Sequence, residues 1–531
     1  MSIQRGLIGL IVAVLQALAM AGSAAASGSD VGEERSAPRP ARSEEVLLSR
    51  FTETGPLRLD DGAREIRIPF SIAPNATPHS VELLLSGAPA GPQASGRIEA
   101  FVNRARAVEL QPRAEPFEAR FSLHSDDLRA GDNILVLRLT GEAGAGWIVN
   151  ADASRLRISA SPAHGYAALD EIEAALRADF SAPRRVHIET SAAGGDDLAV
   201  SALIAQGLAL RMGEAPILVR DRSVAELTIS AELRPGAAAP AIDLTGPSEL
   251  RLSAGGSGSL IAAARLFAAR SMDGHTVRFD MTSALSAPRL DRPHKAARIH
   301  GSLEALVAGG APFGADRGGR AAVVIASADE ESRAASLAVV ARAALASGSA
   351  WLYAWYGDDL ANAPLNHDLL VLGPQNQLGP RLMASAPAEV RAAANAAANR
   401  APRPRRFYGS TAYAADADER DAQITGVAAL FVNDEGRRVA LITSPEGADY
   451  ARAAKRLARS GLWTGLEGRA SLWDASQVTP FGPSEAPRFS VEWASTHLRA
   501  NDEWLALGAF SVAIFLLLLG RGVNRTARRK V

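Results

Sequence analysis

Apolar and polar residues change rhythm along this chain of 531 residues. From Glu45 to Ser161 they alternate. Arg64–Phe70 reads REIRIPF, the period-two pattern of a half-buried strand. Val81–Leu85, Ile98–Val102, Phe117–Leu123, Ile134–Leu139 and Arg155–Ile158 continue the series. Turn-forming stretches separate them: Pro89-Ala90-Gly91-Pro92, Asn103-Arg104 and Gly131-Asp132-Asn133. Short strands at this spacing predict an antiparallel, jelly-roll-like β-sandwich over 45–161.

Near Tyr166 the period lengthens. Leu169, Ile172 and Leu176 recur at helical spacing. Strands are predicted at Val186–Ile188, Ile217–Val219, Leu227–Ser230 and Glu249–Leu252, and helices at Leu198–Met212 and Ser259–Ala269. Strands alternating with helices predict an α/β unit with a largely parallel sheet over 165–274. A connector rich in Gly, Pro and Arg follows over 275–320, and a second α/β unit over 321–480. Its predicted strands are Ala322–Ala326, Trp351–Trp355, Leu369–Leu372, Val427–Phe431 and Val439–Thr443. Its predicted helices are Glu330–Leu345, Glu389–Asn399 and Ala448–Ser460. Asn433-Asp434-Glu435-Gly436 has the chemistry of a hairpin turn. The two units read as a distant internal duplication, alike in architecture and not residue by residue.

The ends carry a different signal. Arg5, the apolar run Leu7–Met20 and the small residues Ala24, Ala25 and Ala26 describe a secretory signal over 1–26. Residues 27–44 lack periodicity and read as a tether. Trp504–Gly520 is free of charge and close to the shortest helix, about 17 residues, that spans a bilayer. Arg521, Arg525, Arg528, Arg529 and Lys530 follow it in the 521–531 tail, so the tail is expected in the cytoplasm and the bulk of the chain in the periplasm. A buried core helix is the alternative reading of 504–520. Residues 481–503 read as a linker or a short interfacial helix.

Composition narrows the chemistry. The chain has no cysteine, which removes disulfides, thiol nucleophiles and zinc–thiolate sites. Its net charge of -1 offers no electrostatic footprint for nucleic acid. Leu250–Gly258 is a strand running into a Gly-rich turn and a helix, but Ile261 replaces the third glycine of a dinucleotide fingerprint. No Gly-Lys pair, G-x-S-x-G elbow or H-E-x-x-H is present. The histidines are scattered, and the acid pairs Asp60-Asp61, Asp126-Asp127, Asp196-Asp197 and Asp358-Asp359 read as turns. No catalytic residue, metal site or cofactor is expected. Aromatics make up only 5% of the chain, so a sugar platform has few candidates. Trp147, after Gly144-Ala145-Gly146, is the better of two in the sandwich. Phe101 is the other, although it alternates like a core residue. Trp351, Tyr353 and Trp355 read as one face of a core strand.

The order of these parts resembles the B-subunit family of bacterial cellulose synthase, also called the cyclic di-GMP-binding regulatory subunit. The resemblance runs from about residue 45 to the end. It rests on Val81–Leu85, Ile98–Asn103, Leu128–Leu135, the Leu260–Ala269 helix, Ala287–Pro293 and Gly461–Gly468. It implies flavodoxin-like α/β domains, a single-pass inner-membrane anchor and a non-catalytic accessory role beside a multi-spanning glycosyltransferase. The nascent polysaccharide, cellulose-like β-glucan, and the membrane would be its other partners. The Trp504–Gly520 helix would dock on the synthase, with Gly508, Ala509 and Ala513 at the close contacts. The family plan has a second sandwich for which 275–320 leaves no room. No R-x-x-x-R is paired with a D-x-S-x-x-G, so nothing in the chain answers to the cyclic di-GMP label. An anchored periplasmic glycosidase or deacetylase is the rival reading.

Overall fold

The computed structural model describes residues 41–481, except 53–55, 93, 105, 113–114, 125, 142–145, 164, 238, 273, 275, 279–301, 401–423 and 460. The signal sequence, nearly all of the tether and the docking helix with Trp504, Gly508, Ala509, Ala513 and Gly520 lie outside the described residues. Among the described residues no helix is long and apolar enough to cross a membrane.

The alternating region folds as ten strands: β1 (Arg42–Leu47), β2 (Leu57–Leu59), β3 (Glu65–Ile72), β4 (Thr77–Pro89), β5 (Arg97–Val102), β6 (Val108–Leu110), β7 (Phe117–Leu123), β8 (Gly131–Thr140), β9 (Trp147–Val149) and β10 (Arg155–Ser161). One antiparallel sheet has the order β1-β10-β4-β9-β2, with β7 also on β4, and the other has the order β3-β8-β5-β6. Each strand buries one phase of its alternation. In β8, Leu135, Leu137 and Leu139 enter the core while Ile134 stays 38% exposed. β1 takes up the end of the expected tether. Its RSEEVL buries no residue fully, as suits an edge strand, so its sequence reads as polar.

The sandwich is keyed to the next unit by Asp179, whose carboxylate accepts the Ser71 N–H at 2.8 Å and its hydroxyl at 2.9 Å. Phe70 meets Phe180 edge-on, with ring centroids 5.9 Å apart.

That unit runs α1 (Leu169–Arg177), β11 (Arg185–Thr190), α2 (Gly195–Met212), β12 (Ile217–Leu218), β13 (Leu227–Leu233), β14 (Ala241–Gly246), β15 (Glu249–Ala254), α3 (Ser257–Ala269) and β16 (Thr276–Arg278). Its sheet order is β12-β11-β13-β15-β14-β16. The second unit runs α4 (Leu303–Gly309), β17 (Ala321–Ile325), α5 (Glu330–Ala346), β18 (Trp355–Gly357), β19 (Asp368–Leu372), α6 (Pro380–Ser385), α7 (Ala388–Arg400), β20 (Gly426–Val432), β21 (Arg438–Thr443), α8 (Gly447–Arg459), β22 (Ala470–Trp473) and β23 (Val478–Phe481). Its order, β18-β17-β19-β21-β20-β22-β23, repeats the first unit and adds one strand.

The duplication expected from architecture is therefore a match of strand pairings. The second unit differs by α6 and α7, inserted between β19 and β20. Both sheets are mixed. β12, β11, β13 and β15 are parallel, but β14 joins β15 through a tight hairpin, which forces antiparallel pairing. A largely parallel sheet thus holds for one side of each unit only.

Two boundaries also move. β16 pairs with β14, and α4 packs on α5, so both ends of the expected connector belong to the units. The strand expected at Trp351–Trp355 starts only at Trp355. Trp351 lies in the preceding turn, fully buried, and its indole N–H donates to Ser347 Oγ at 3.0 Å.

The units meet about a pseudo-two-fold relation. α2 packs on its counterpart α5, β18 lies beside α2, and the counterpart β12 lies beside α5. Alanines dominate the seam. Leu198, Ala202, Ala205 and Ala209 of α2 share a core with Ala335 and Ala338 of α5. Small side chains let two helices approach closely. Burial on more than one side explains why α2 reads as apolar nearly all round.

Candidate functional site

A groove of about 530 Å³ opens at one end of the first sandwich sheet. Ala88 and Ile148, partners across β4 and β9, form part of its lining, with Pro56 and Pro116 beside them. Gly87 allows the close approach of strands and ring beneath. A Cβ there would stand 2.7 Å from the Phe117 ring and 2.8 Å from the Ile148 carbonyl. Asn150 and Asp152 line the polar part. The Asn150 side-chain oxygen accepts the Asp152 N–H at 3.1 Å, which fixes that turn. Among the described residues the Asn150 amino group and the Asp152 carboxylate have no partner, and both side chains are exposed. The groove thus combines an apolar sheet surface with one free donor and one free acceptor.

The two aromatic candidates exchange places. Trp147 lies in β9, only 1% exposed, edge-on to Phe117 with centroids 5.7 Å apart. Its faces are core surface behind the groove, so it is no platform for a ligand. Phe101 points outward from the second sheet, because Ile98, Ala100 and Val102 occupy the inward phase of β5. The Arg138 guanidinium covers its ring at 5.1 Å. Glu65 holds that cover in place, accepting from Arg67 at 2.6 Å and Arg138 at 3.0 Å. These hydrogen bonds, from Arg67 first and then Arg138, hold the Glu65 carboxyl below its ordinary range.

A second charged lattice lies on the outer face of the first sheet. Glu45 accepts from Arg155 at 2.8 Å and from Arg157 at 2.5 Å, and Arg157 reaches Glu82 at 3.4 Å. Hydrogen bonds from Arg155 and then Arg157 hold Glu45 below its ordinary range. These pairs enclose a hollow of about 80 Å³ over Leu84 and Arg120, too small for a sugar ring.

Several other sequence candidates have structural roles. The Asp60 carboxylate accepts the Gly62 and Ala63 N–H groups in a turn, and Asp359 caps a short helix. Asp197 pairs with Arg333 across the seam at 2.5 Å. Burial raises its pKa, and Arg333 pulls it part of the way back. The Gly255-Gly256 turn joins β15 to α3, and a Cβ on Gly255 would press on the Ala237 carbonyl. Among the described residues no group of three or more His, Asp or Glu side chains is placed to hold a metal.

Sequence reasoning missed Ala88, Ile148, Asn150 and Asp152. No local signal could have found them, because Trp147–Val149 is a run of three apolar residues, too short to show a period.

No protein-family model and no curated protein matches the chain. Several solved structures do. A family 35 carbohydrate-binding module (CBM35) from Cellvibrio japonicus is 15% identical, with 24% of this chain and 95% of that chain covered and a TM-score of 0.16. A family 35 module from Clostridium thermocellum is 13% identical, covering 23% of this chain and 95% of that one, with a TM-score of 0.15. An exo-β-1,3-galactanase from Phanerochaete chrysosporium is 14% identical, covering 23% of this chain and 26% of that one, with a TM-score of 0.15.

Proposed function

We propose that this protein is a non-catalytic accessory subunit of an inner-membrane polysaccharide synthase. It binds the emerging polymer, a cellulose-like β-glucan, in the sandwich groove and docks on a multi-spanning glycosyltransferase through Trp504–Gly520. The observation that carries the reading is the make-up of the groove. A pyranose presents C–H faces and a rim of hydroxyls. Ala88 and Ile148 offer an apolar bed for the first, and Asn150 and Asp152 offer a donor and an acceptor for the second. The order of parts, a sandwich followed by two α/β units, follows the family resemblance except for the second sandwich, for which 275–320 leaves no room.

Affinity electrophoresis in gels carrying soluble β-glucan tests the groove. Ala88→Arg, on the half-buried outer face of β4, fills the bed and leaves the core intact. Retardation is expected to fall at least tenfold with an unchanged melting temperature. Equal retardation of the variant and the unaltered chain contradicts the reading. Deleting residues 504–531 is expected to release a folded periplasmic protein and to stop polymer export.

A further inference from the structure

The seam between the two α/β units contains a cleft of about 310 Å³, at the small end of the range for ligand pockets, roughly 300–1,000 Å³. The first unit lines it with Asp196 and Leu203 of α2 and Ile261 and Arg265 of α3. The second unit lines it with Trp355 and Asp358 at β18. The Arg265 guanidinium lies 5.3 Å from the centre of the Tyr353 ring. Arg265 forms no ion pair among the described residues, and its Nε is sealed from solvent without an acceptor. A guanidinium half-buried in this way usually has a carboxylate, as Arg211 has in Glu173 at 2.7 Å. Here stacking holds it instead, and its donors are kept for something else.

We propose that this cleft binds a neutral saccharide of one or two pyranose rings. The class follows from the lining, and it rests on the reading of the protein as a polysaccharide partner. One cation faces two carboxylates, Asp196 and Asp358, so an acidic ligand meets net repulsion. Ile261 and Trp355, both half-buried, offer apolar surface for ring C–H groups, while Arg265 donates to ring or hydroxyl oxygens and the carboxylates accept from hydroxyls. The site is separate from the sandwich groove. The cleft, at about 310 Å³ against about 530 Å³ for the groove, has room for a short saccharide or a chain end, whereas the groove takes a longer stretch of polymer. A ligand touching both units also ties them together and raises the melting temperature of the pair.

The experiment uses the full-length chain and calorimetric titration with cellobiose, laminaribiose, maltose and galactobiose. At least one disaccharide is expected to bind. Arg265→Gln and the rim variant Asp358→Asn each weaken it tenfold or more, and Ala88→Arg leaves it unchanged. Asp358 is exposed, so that variant folds even if the first is impaired. Failure of all four disaccharides to bind overturns the proposal, as does binding that Arg265→Gln and Asp358→Asn leave intact. β-Glucan electrophoresis of the same samples separates the two claims. A chain that is retarded but binds no disaccharide loses the cleft and keeps the groove. A chain that shows neither loses both.

Discussion

The pseudo-two-fold relation gives the α/β pair two equivalent contacts, and they are built from opposite materials. Where α2 meets β18, the fully buried Gln206 donates to the Tyr356 hydroxyl at 2.8 Å and accepts the Trp351 N–H at 2.8 Å. Tyr356 in turn donates to the Trp351 carbonyl at 2.8 Å. Burial pushes the Tyr356 hydroxyl far above its ordinary pKa, so it stays a donor at any physiological pH. Where α5 meets β12, Arg220 pairs with Glu330 at 2.7 Å, and both side chains are exposed. One contact is a satisfied buried network beside a cleft, and the other is a surface ion pair. Duplication supplied the same helix and strand twice. Only the first contact put polar groups where water cannot rescue them, so that is where stability and specificity are expected to concentrate.

Gln206→Leu breaks this contrast most severely. It leaves the Tyr356 hydroxyl short of a donor and the Trp351 N–H without an acceptor in a dry seam. We expect a loss of about 3 kcal/mol in chemical denaturation. A loss equal to that at an exposed site would remove the distinction between the two contacts.

The units differ also at the start of their equivalent strands β13 and β19. Glu226, just before β13, accepts the Arg184 N–H at 2.7 Å and pairs with Arg185 at 3.1 Å. His367 stands just before β19, and burial, then the neighbouring Arg437, lowers its pKa below the ordinary 6.5. The sign follows from linkage. A lowered pKa in the folded state means that the unfolded chain takes up the proton first. Stability from a neutral His367 is therefore complete above pH 6.5 and is lost as the pH falls below it. Melting curves between pH 7.5 and 5 are expected to show this slope, and His367→Gln to flatten it.

Arg220→Ala is the smallest test. An exposed pair is worth about 0–1 kcal/mol, so its removal is expected to shift stability by less than about 0.5 kcal/mol. A larger loss would make the two contacts alike.

Most of the skeleton was legible because periodicity is local. Leu135, Leu137 and Leu139 declare their phase in the sequence, and Asn433–Gly436 declares its turn, with Gly436 at φ +76°. What escaped depends on neighbours distant in the chain. Trp147 follows small residues and lies in a strand of three, too short to show a period, so it reads as an exposed loop. The phase of Phe101 was present in Ile98, Ala100 and Val102, but an aromatic ring on an outer face is stabilised by Arg138, which comes from another strand. β16 was missed because a three-residue edge strand carries little apolar content, and β14 because its alternation is confined to Ile242 and Leu244 in a run of six. The groove and the cleft are tertiary throughout. Pro56, Ala88 and Ile148 meet only when the sheet forms, and Arg265 reaches Tyr353 only when two units dock.

The central claim is partnership with a polysaccharide synthase. Affinity purification of the full-length chain from solubilised inner membranes, beside a chain lacking 504–531, tests it most directly. The account predicts a multi-spanning glycosyltransferase in stoichiometric yield with the full-length chain and its loss with the truncated one. A full-length chain that comes out of the membrane without any glycosyltransferase would contradict it.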